Sequence, residues 1–336
     1  MNQSLLHTIQ LEVGYLSKNS KKTILSEIDL QLNAGEMVCL LGPNGVGKST
    51  LLRTLAGVQP SLAGQVFIGN EAVEKLNRLE LAQKISLVLT DRSFSGNLNV
   101  LDLISLGRYP HTSWSGNLMP GDHDKIEEAV AQTQVGYLLQ QKLHEISDGQ
   151  LQKAMIARAV AQDGDIMILD EPTAHLDLSN KIEILLLLKK LAKNMNKAVI
   201  IATHELDLAL KTADQIWLAQ CNAPIITGMP EELALQGVLD KIYGGKDYQI
   251  NATTGQVQIK HSNQIPIQIV VRDALSHWTA NALRRIGFNP TTEYDDLKIE
   301  VLDSGDEPVE WHLIQKGNLR KFTSLKTLLQ HLVNYH

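Results

Sequence analysis

A glycine-rich run, GPNGVGKST at Gly42–Thr50, follows a short apolar segment and precedes residues with helical apolar spacing. It fits the pattern G-x-x-x-x-G-K-[ST] in the strand-to-helix context that this pattern requires. Its glycines let successive backbone N–H groups point inward, and the positive end of the next helix adds to this anion site. Lys48 supplies a cation for the β- and γ-phosphates, and Ser49 offers a hydroxyl to Mg²⁺. The run therefore predicts an α/β fold with a phosphate-binding loop, whose nucleotide contacts are Gly42, Pro43, Asn44, Gly45, Val46, Gly47, Lys48, Ser49 and Thr50.

Two acids follow an apolar strand-like segment, IMIL, further along the chain. An apolar strand that ends in an acid places the carboxylate where a phosphate-binding fold coordinates its metal, so Asp170 is the predicted Mg²⁺ ligand beside Ser49. Glu171 is positioned to accept a proton from the attacking water. His204 follows another apolar strand, and its imidazole is placed to contact the γ-phosphate and link it to Glu171. Glu171, His204 and Lys48 are the predicted catalytic residues.

Composition excludes several classes of protein. The chain of 336 residues has 43% hydrophobic and 20% charged residues, which predicts about two packed domains rather than a disordered chain. The net charge of −6 and the aromatic content of 4% argue against a nucleic-acid partner. No apolar run approaches the roughly 20 residues of a membrane span, so we expect no spanning helix, and the first residues predict no secretory leader. Cys39 and Cys221 cannot form a disulfide scaffold, and Cys39 is interpreted as a small buried hydrophobe.

Apolar periodicity divides the chain into two domains, residues 1–245 and residues 246–336. In the first, strands alternate with helices to give a mixed-sheet body, interrupted by a mostly helical insert at about residues 91–162. In the second, the order β-α-β-β-α predicts a small α/β domain, with its first helix burying a face that includes Trp278 and Leu283. The predicted strands of the first domain are Thr8–Val13, Ile24–Leu32, Met37–Leu41, Ile85–Leu89, Ile166–Leu169, Ala198–Ala202 and Gln215–Leu218, and its predicted helices are Ser49–Ala56, Leu101–Leu106, Lys125–Leu139, Leu151–Ala161 and Asn180–Lys193.

The segment Ile146–Gln162, ISDGQLQKAMIARAVAQ, places a serine and a glycine at a second helix start. With this segment, the chain resembles the ATP-binding subunits of ABC transporters over roughly Leu6–Gly244. Gly42–Thr50 matches their Walker A motif, Ile166–Asp170 with Glu171 their Walker B motif and catalytic glutamate, and His204 their switch histidine. The resemblance also implies that five further residues contact ATP: Tyr15 through the adenine, Ser147, Gly149 and Gln150 through the signature motif, and Asp177 through the D-loop at the subunit seam.

The resemblance implies an ATPase that works as a head-to-tail homodimer, in which two ATP molecules lie between one chain's loop and the other's signature. It also implies integral-membrane permease subunits as partners, an indirect link to a substrate-binding protein, and a peripheral position on the cytoplasmic face of the membrane. The helical insert would meet the permease. Ser105–Pro110 with His111 is similar to a stretch in importers of iron-siderophore, haem or vitamin B12-type compounds. Arg108 in this stretch is interpreted either as a permease contact or as an ordinary surface residue.

The sequence departs from the family pattern at two places. Thr90, followed by Asp91, stands where the family has the Q-loop glutamine, and Asp148 stands where its signature usually has glycine. The first departure affects how the nucleotide state is relayed to a permease. The second affects which groups of the signature can face the phosphate. The second domain lies outside the resemblance, and its histidines show no compact metal-ligand spacing.

Two other functions share parts of this pattern. The first is a soluble ABC-class ATPase without a permease, which would act on ribosomes or nucleic acid. Against it, the chain has one phosphate-loop motif and no long heptad run. The second is a nucleotide-binding regulatory module with weak hydrolysis. The intact set Lys48, Asp170, Glu171 and His204 argues against it, whereas Thr90 favours it.

Overall fold

The computed structural model describes residues 4–17, 20–89, 97–113, 116–221, 223–251, 255–260, 265–270, 273–294, 296–303 and 308–333. The chain divides into two compact units, Met1–Ile242 with Ala252–Gln256 and Tyr243–Asn251 with Val257–His336. The strands of the first unit are β1 (Ser4–Ser17), β2 (Ser20–Ile28), β3 (Gln31–Asn33), β4 (Met37–Leu41), β5 (Ala63–Ile68), β6 (Glu71–Ala72), β7 (Ile85–Val88), β8 (Ile166–Asp170), β9 (Ala198–Ala202), β10 (Gln215–Gln220) and β11 (Ala223–Gly228).

Nine α-helices are assigned in the described residues up to Tyr243. They are α1 (Lys48–Leu55), α2 (Arg78–Lys84), α3 (Val100–Ser105), α4 (Pro120–Thr133), α5 (Asp148–Ala161), α6 (Leu178–Asn194), α7 (Leu206–Thr212), α8 (Pro230–Leu235) and α9 (Val238–Tyr243). None of the helices in the described part of the chain is both long enough and apolar enough to cross a bilayer.

The central sheet has the strand order β11-β10-β4-β9-β8-β7. Strands β10, β4, β9, β8 and β7 run parallel, and β11 pairs with β10 in the antiparallel direction. Every residue of β4, β8 and β9 is buried, as expected for parallel strands that are covered on both faces. A second sheet, β2-β1-β5-β6 with β3 paired to β1, completes the predicted mixed α/β architecture.

Between β7 and β8 the described residues form helices α3, α4 and α5, with short 3₁₀ turns. The predicted helix Lys125–Leu139 was placed too late along the chain, because α4 begins at Pro120 and ends at Thr133. Gln134, with φ 58°, takes a left-handed conformation that a continuing helix does not allow.

Arg108 lies in the interior of this helical region, so both sequence interpretations of it are wrong. It is 6% exposed, its Nε donates to Asp122 Oδ1 at 2.9 Å, and its Nη1 donates to the Ala161 carbonyl at 2.7 Å. Gly107 lies so close to α5 that an added Cβ would stand 2.2 Å from the Arg158 carbonyl oxygen. The Arg108 guanidinium therefore joins the turn that follows α3 to α4 through the ion pair and to α5 through the hydrogen bond.

The second unit contains β12 (Tyr248–Ile250), β13 (Val257–Ile259), β14 (Ile265–Ile269), β15 (Phe288–Thr291), β16 (Leu297–Leu302), β17 (Glu310–Gln315) and β18 (Asn318–Phe322), with helices α10 (Ala274–Arg285) and α11 (Leu325–Val333). Its main sheet has the order β15-β14-β16-β17-β18. The predicted order β-α-β-β-α was incomplete, because it missed the two edge strands β15 and β18. Their sequences, FNPT and NLRKF, lack apolar alternation, and edge strands tolerate proline and charge.

The core of this unit lies between its sheet and helices α10 and α11, and includes Leu283, Phe288 and Trp311. The Trp311 indole N–H donates to Thr279 Oγ1 at 2.9 Å. Trp278 is 67% exposed, contrary to the predicted apolar face. The buried stripe of α10 is centred on Thr279 and Leu283, which places Trp278 on the solvent side.

The two cysteines differ sharply in accessibility. Cys39 is buried on β4 as predicted, and this burial raises the pKa of its thiol to about 12, whereas Cys221 is exposed. We expect one thiol per chain to react with a thiol reagent at pH 8 in the native state and both to react in denaturant, because only an accessible thiolate is nucleophilic. A Cys221→Ser variant that still reacted under native conditions would contradict the burial of Cys39.

Candidate nucleotide site

The loop Gly42–Gly47 connects β4 to α1 at the carboxyl edge of the central sheet. Gly45 and Gly47 have φ of 79° and 112°, a region that favours glycine. A Cβ at Gly47 would also meet the Ile24 side chain at 2.5 Å. Among the described residues, no side chain caps the N-terminus of α1, which suits its first N–H groups to an anion.

Lys48 lies across the inside of the loop. It is 6% exposed, and its Nζ donates to the carbonyls of Gly42 at 2.8 Å and Pro43 at 3.2 Å. Burial lowers the pKa of Lys48, while the negative charges of Glu171 and Asp170 act in the opposite direction. The cation and the two predicted acids therefore belong to one electrostatic site.

The remaining loop residues contribute in different ways. Pro43, Asn44 and Gly45 are exposed at the loop tip, and Ser49 is half-buried. The Val46 side chain belongs to the hydrophobic core, so of the predicted loop contacts it can offer only its backbone.

Tyr15 on β1 is placed beside the start of α1. Its hydroxyl lies 3.0 Å from Thr50 Oγ1, and the residue is 49% exposed. This contact fixes the phenol oxygen and leaves part of the ring accessible, an arrangement that suits the predicted stacking on a planar base.

The two acids follow β8 in different environments. Asp170 is 8% exposed and pairs with Ala202 of β9, which itself pairs with Leu40 of β4. Asp170 therefore lies level, across the sheet, with the end of β4, where the phosphate loop begins. Glu171 has φ 48°, a left-handed conformation that is uncommon for a residue with a Cβ, and its N–H donates to the Ala202 carbonyl at 2.9 Å. Because of this backbone conformation, the Glu171 side chain leaves the chain in a different direction from the Asp170 side chain.

His204 lies beside Glu171. Its side chain is 52% exposed, and its Nδ1 is 3.7 Å from Glu171 Oε1. Its Nε2 is 3.6 Å from Oε1 of Glu205, a residue that the sequence analysis missed although it directly follows the histidine. The structure thus gathers Lys48, Asp170, Glu171 and His204 around the carboxyl ends of β4, β8 and β9.

The donor set fits a magnesium ion that shares its coordination with phosphate. The described residues contain no group of three or more His, Cys, Asp or Glu side chains able to hold a metal by themselves. Mg²⁺ characteristically takes one or two protein oxygens and completes its octahedron with phosphate oxygens and water. Ser49 follows Lys48 in the chain, and Asp170 is a buried acid whose charge acts on Lys48, so these residues suit such an ion.

The predicted signature residues lie at the start of α5. Ser147 is its N-cap and forms a capping box with Gln150, in which Gln150 N donates to Ser147 Oγ at 3.3 Å and Ser147 N donates to Gln150 Oε1 at 2.9 Å. Both side chains therefore already form hydrogen bonds with backbone N–H groups at the helix start. Asp148, the acidic departure from the family pattern, is exposed in the first turn.

Gly149 and Asp177 are connected through Asn180. An added Cβ at Gly149 would stand 2.6 Å from Asn180 Oδ1, so a larger residue here would have to displace the Asn180 amide between α5 and α6. Asp177 is the N-cap of α6 and accepts from Asn180 N at 2.8 Å and Nδ2 at 3.1 Å. Sequence reasoning missed Asn180, whose signal is the Asp-x-x-Asn spacing at a helix start. Thr90 and Asp91 lie outside the described residues.

Comparison with known proteins places these features in a family. The family model described as ABC transporter matches residues 25–174, and the one described as iron ABC transporter C-terminal domain matches residues 264–333. An uncharacterized ABC transporter ATP-binding protein of Methanocaldococcus jannaschii is 37% identical over 258 residues, 77% of this chain and 88% of that protein. A petrobactin import ATP-binding protein of Bacillus anthracis is 32% identical over 72% of this chain and 87% of its own length.

The fold agrees with this similarity. A dimeric ATP-binding cassette solved in a post-hydrolysis state with ADP and phosphate is 25% identical, with a TM-score of 0.57, and covers 67% of this chain and 98% of its own. The similarity to the curated relatives runs over most of their length, and the phosphate loop lies within the first matched region. The chain therefore belongs to the ATP-binding subunits of ABC transporters and is an ATPase of that family.

Proposed function

We propose that this chain is the subunit that hydrolyses ATP to drive a membrane permease importing iron-siderophore, haem or cobalamin-type compounds. The observation that carries the proposal is the meeting of Lys48, Asp170, Glu171 and His204 at the phosphate loop. The petrobactin import relative and the match of the C-terminal region to the iron ABC transporter domain support iron chelates as the cargo. Residues 1–245 would be the ATPase domain and residues 246–336 an appended domain.

In the proposed reaction, the N–H groups of the loop and Lys48 hold the β- and γ-phosphates. Glu171 accepts a proton from the water whose oxygen attacks the γ-phosphorus, and the bond from this phosphorus to the bridging oxygen breaks to give ADP and phosphate. His204 holds the γ-phosphate on the side of Glu171. Ser49 and Asp170 would hold Mg²⁺, which when bound neutralises phosphate charge.

Two copies would close head to tail, with Ser147 and Gly149 of one chain facing the nucleotide on the loop of the other. The uncapped start of α1 and the serine-capped start of α5 are both helix ends that favour negative charge. Asp177 at the start of α6 would lie at the seam. Opening and closing of this dimer would be the two-state element that drives the permease.

A groove of about 600 Å³ on the first unit supports a permease as partner. It lies between α2 and β7 on one side and the end of α3 and α5 on the other, and Val58, Leu106 and Tyr109 at its rim are 61%, 51% and 74% exposed. Exposed apolar side chains around a groove are typical of a protein-interaction site, so we expect a permease segment to bind here. With a permease bound here, the chain would lie peripherally on the cytoplasmic face of the membrane.

Capture of partners from the membranes of the source cell tests this function. We expect the tagged chain with Glu171→Gln, supplied with MgATP, to co-purify an integral-membrane protein with several spanning helices. Leu106→Arg should reduce this recovery at least about fivefold while leaving ATP binding intact, because it puts a charge into the apolar groove. Recovery of ribosomes or DNA instead would contradict the proposal, and loss of ⁵⁵Fe-siderophore uptake on deleting the gene would test the cargo.

A further inference from the structure

His204 lies between two carboxylates rather than beside one. Glu171 Oε1 is 3.7 Å from its Nδ1, and Glu205 Oε1 is 3.6 Å from its Nε2. Half of the His204 side chain is exposed, so packing alone leaves the ring free to rotate about its side-chain torsions. A carboxylate attracts a ring nitrogen that carries a proton, and in the orientation that the structure shows each ring nitrogen faces a different carboxylate.

Glu205 is itself held firmly. Lys181 forms an ion pair with Glu205 Oε1, and both side chains are only 22% exposed. The Glu205 N–H donates to Thr203 Oγ1 at 3.1 Å, and the buried Thr203 is tied through its own N–H to the Leu40 carbonyl at 3.1 Å, next to the phosphate loop. A carboxylate fixed in this way keeps its place relative to β4 and β9.

Lys181, the partner of Glu205, is also held in position by its helix. It lies in the first turn of α6, and its N–H donates to the Asp177 carbonyl at 2.9 Å. The ion pair therefore joins the start of α6 to the start of α7, where Glu205 is the N-terminal flanking residue. Because the pair is partly buried, it is screened less than a surface pair.

We propose that Glu205 is a positioning residue for His204 and that Lys181 anchors it. This inference rests on the proposed ATPase function, because it concerns how the γ-phosphate is met during hydrolysis. Glu205 does not touch the reacting atoms: it holds the imidazole in line with Glu171 before ATP arrives. A displaced ring would slow the chemical step, since misplacement by about 1 Å can cost up to 100-fold in rate.

Steady-state kinetics test this role with the full chain. We expect Glu205→Gln and Lys181→Gln each to lower kcat about five- to tenfold, with the KM for ATP and the Kd for a fluorescent ATP analogue changed less than twofold. The double variant should be no slower than the slower single variant, because both changes interrupt one arrangement. Glu205→Asp, which keeps the charge, should recover most of kcat.

A matched control comes from the same helix. Asp207→Asn breaks the exposed pair between Asp207 and Lys211 on α7, removes the same charge two residues away, and should leave kcat unchanged. Thermal unfolding of each variant separates a folding defect from a kinetic one.

Wild-type kcat in Glu205→Gln would overturn the role of Glu205. Reductions in kcat that multiply in the double variant would also overturn it. So would a change in the KM for ATP accompanied by a lower Tm. Failure of the wild-type chain to hydrolyse MgATP would instead reject the proposed function itself.

Discussion

Replacing Glu171 by Gln is expected to lower ATP turnover at least about 100-fold while leaving the affinity for ATP within about twofold of wild type. A general base contributes roughly 10²- to 10⁴-fold to a hydrolytic rate, and the amide cannot accept the proton of the attacking water. In the proposed site the loop N–H groups and Lys48 hold the phosphates, and this change leaves them in place. Phosphate release and equilibrium binding of a fluorescent ATP analogue measure the two effects separately.

Two controls make this result specific. Glu183→Gln changes another glutamate, on α6, where it is 57% exposed and pairs with Lys153, and should leave turnover unchanged. Lys48→Ala should lose both binding and turnover. Wild-type turnover in Glu171→Gln would show that this residue takes no part in the chemistry.

The same variant tests dimer closure. A Glu171→Gln protein that stayed strictly monomeric in saturating MgATP would count against closure of two subunits around ATP.

Among the substitutions proposed here, breaking the Arg108–Asp122 pair should cause the largest fall in the free energy of unfolding. Replacing Arg108 by Met leaves the Asp122 carboxylate buried without its guanidinium, and loss of one partner of a buried pair costs about 3–5 kcal/mol. We expect the Tm of the first unit to fall by roughly 10 °C. The double change Arg108→Met with Asp122→Asn should recover much of this loss, because the uncompensated charge is removed and the Asn oxygen can still accept from the Met119 N–H.

The pH dependence provides an independent check. The Met119 N–H and the Arg108 guanidinium hold the pKa of Asp122 below its ordinary value, against burial that raises it. A lowered folded-state pKa means that this stabilisation is complete above the unfolded value near pH ~3.9 and is lost as the pH falls through the folded value. The gap in Tm between wild type and the double variant should therefore narrow in acid. A gap that stays constant down to pH 2 would contradict a charged Asp122.

Local patterns were sufficient to predict the central strands. Continuous apolar runs such as Met37–Leu41 and Ala198–Ala202 have the bounds that the sequence analysis gave them, because a strand buried on both faces leaves a strong signal. Strands β5, β15 and β18 were missed, since half-exposed or edge strands are specified by their neighbours rather than by their own residues. The position of Trp278 likewise depends on where the sheet covers α10.

The candidate site divides in the same way. The loop Gly42–Thr50 and the acids after β8 could be predicted, because their chemistry requires particular residues at a fixed spacing. Asn180 had a local signal, the Asp-x-x-Asn spacing at the start of α6, which the sequence analysis did not use. Lys181 and Glu205 were missed, since their ion pair joins residues that are distant in the chain and ordinary polar residues on a helix carry no motif. Arg108 was misinterpreted for the same reason: its partner, Asp122, lies on another helix.

A structure of the Glu171→Gln chain trapped with MgATP tests the central claim most directly. The account predicts two chains related by a two-fold axis, with Ser147 Oγ and the Gly149 N–H of each within hydrogen-bonding distance, about 3 Å, of the γ-phosphate held in the partner's Gly42–Thr50 loop. It would be contradicted if MgATP filled the loop while Ser147 lay more than about 10 Å from every γ-phosphate, well beyond that hydrogen-bonding range.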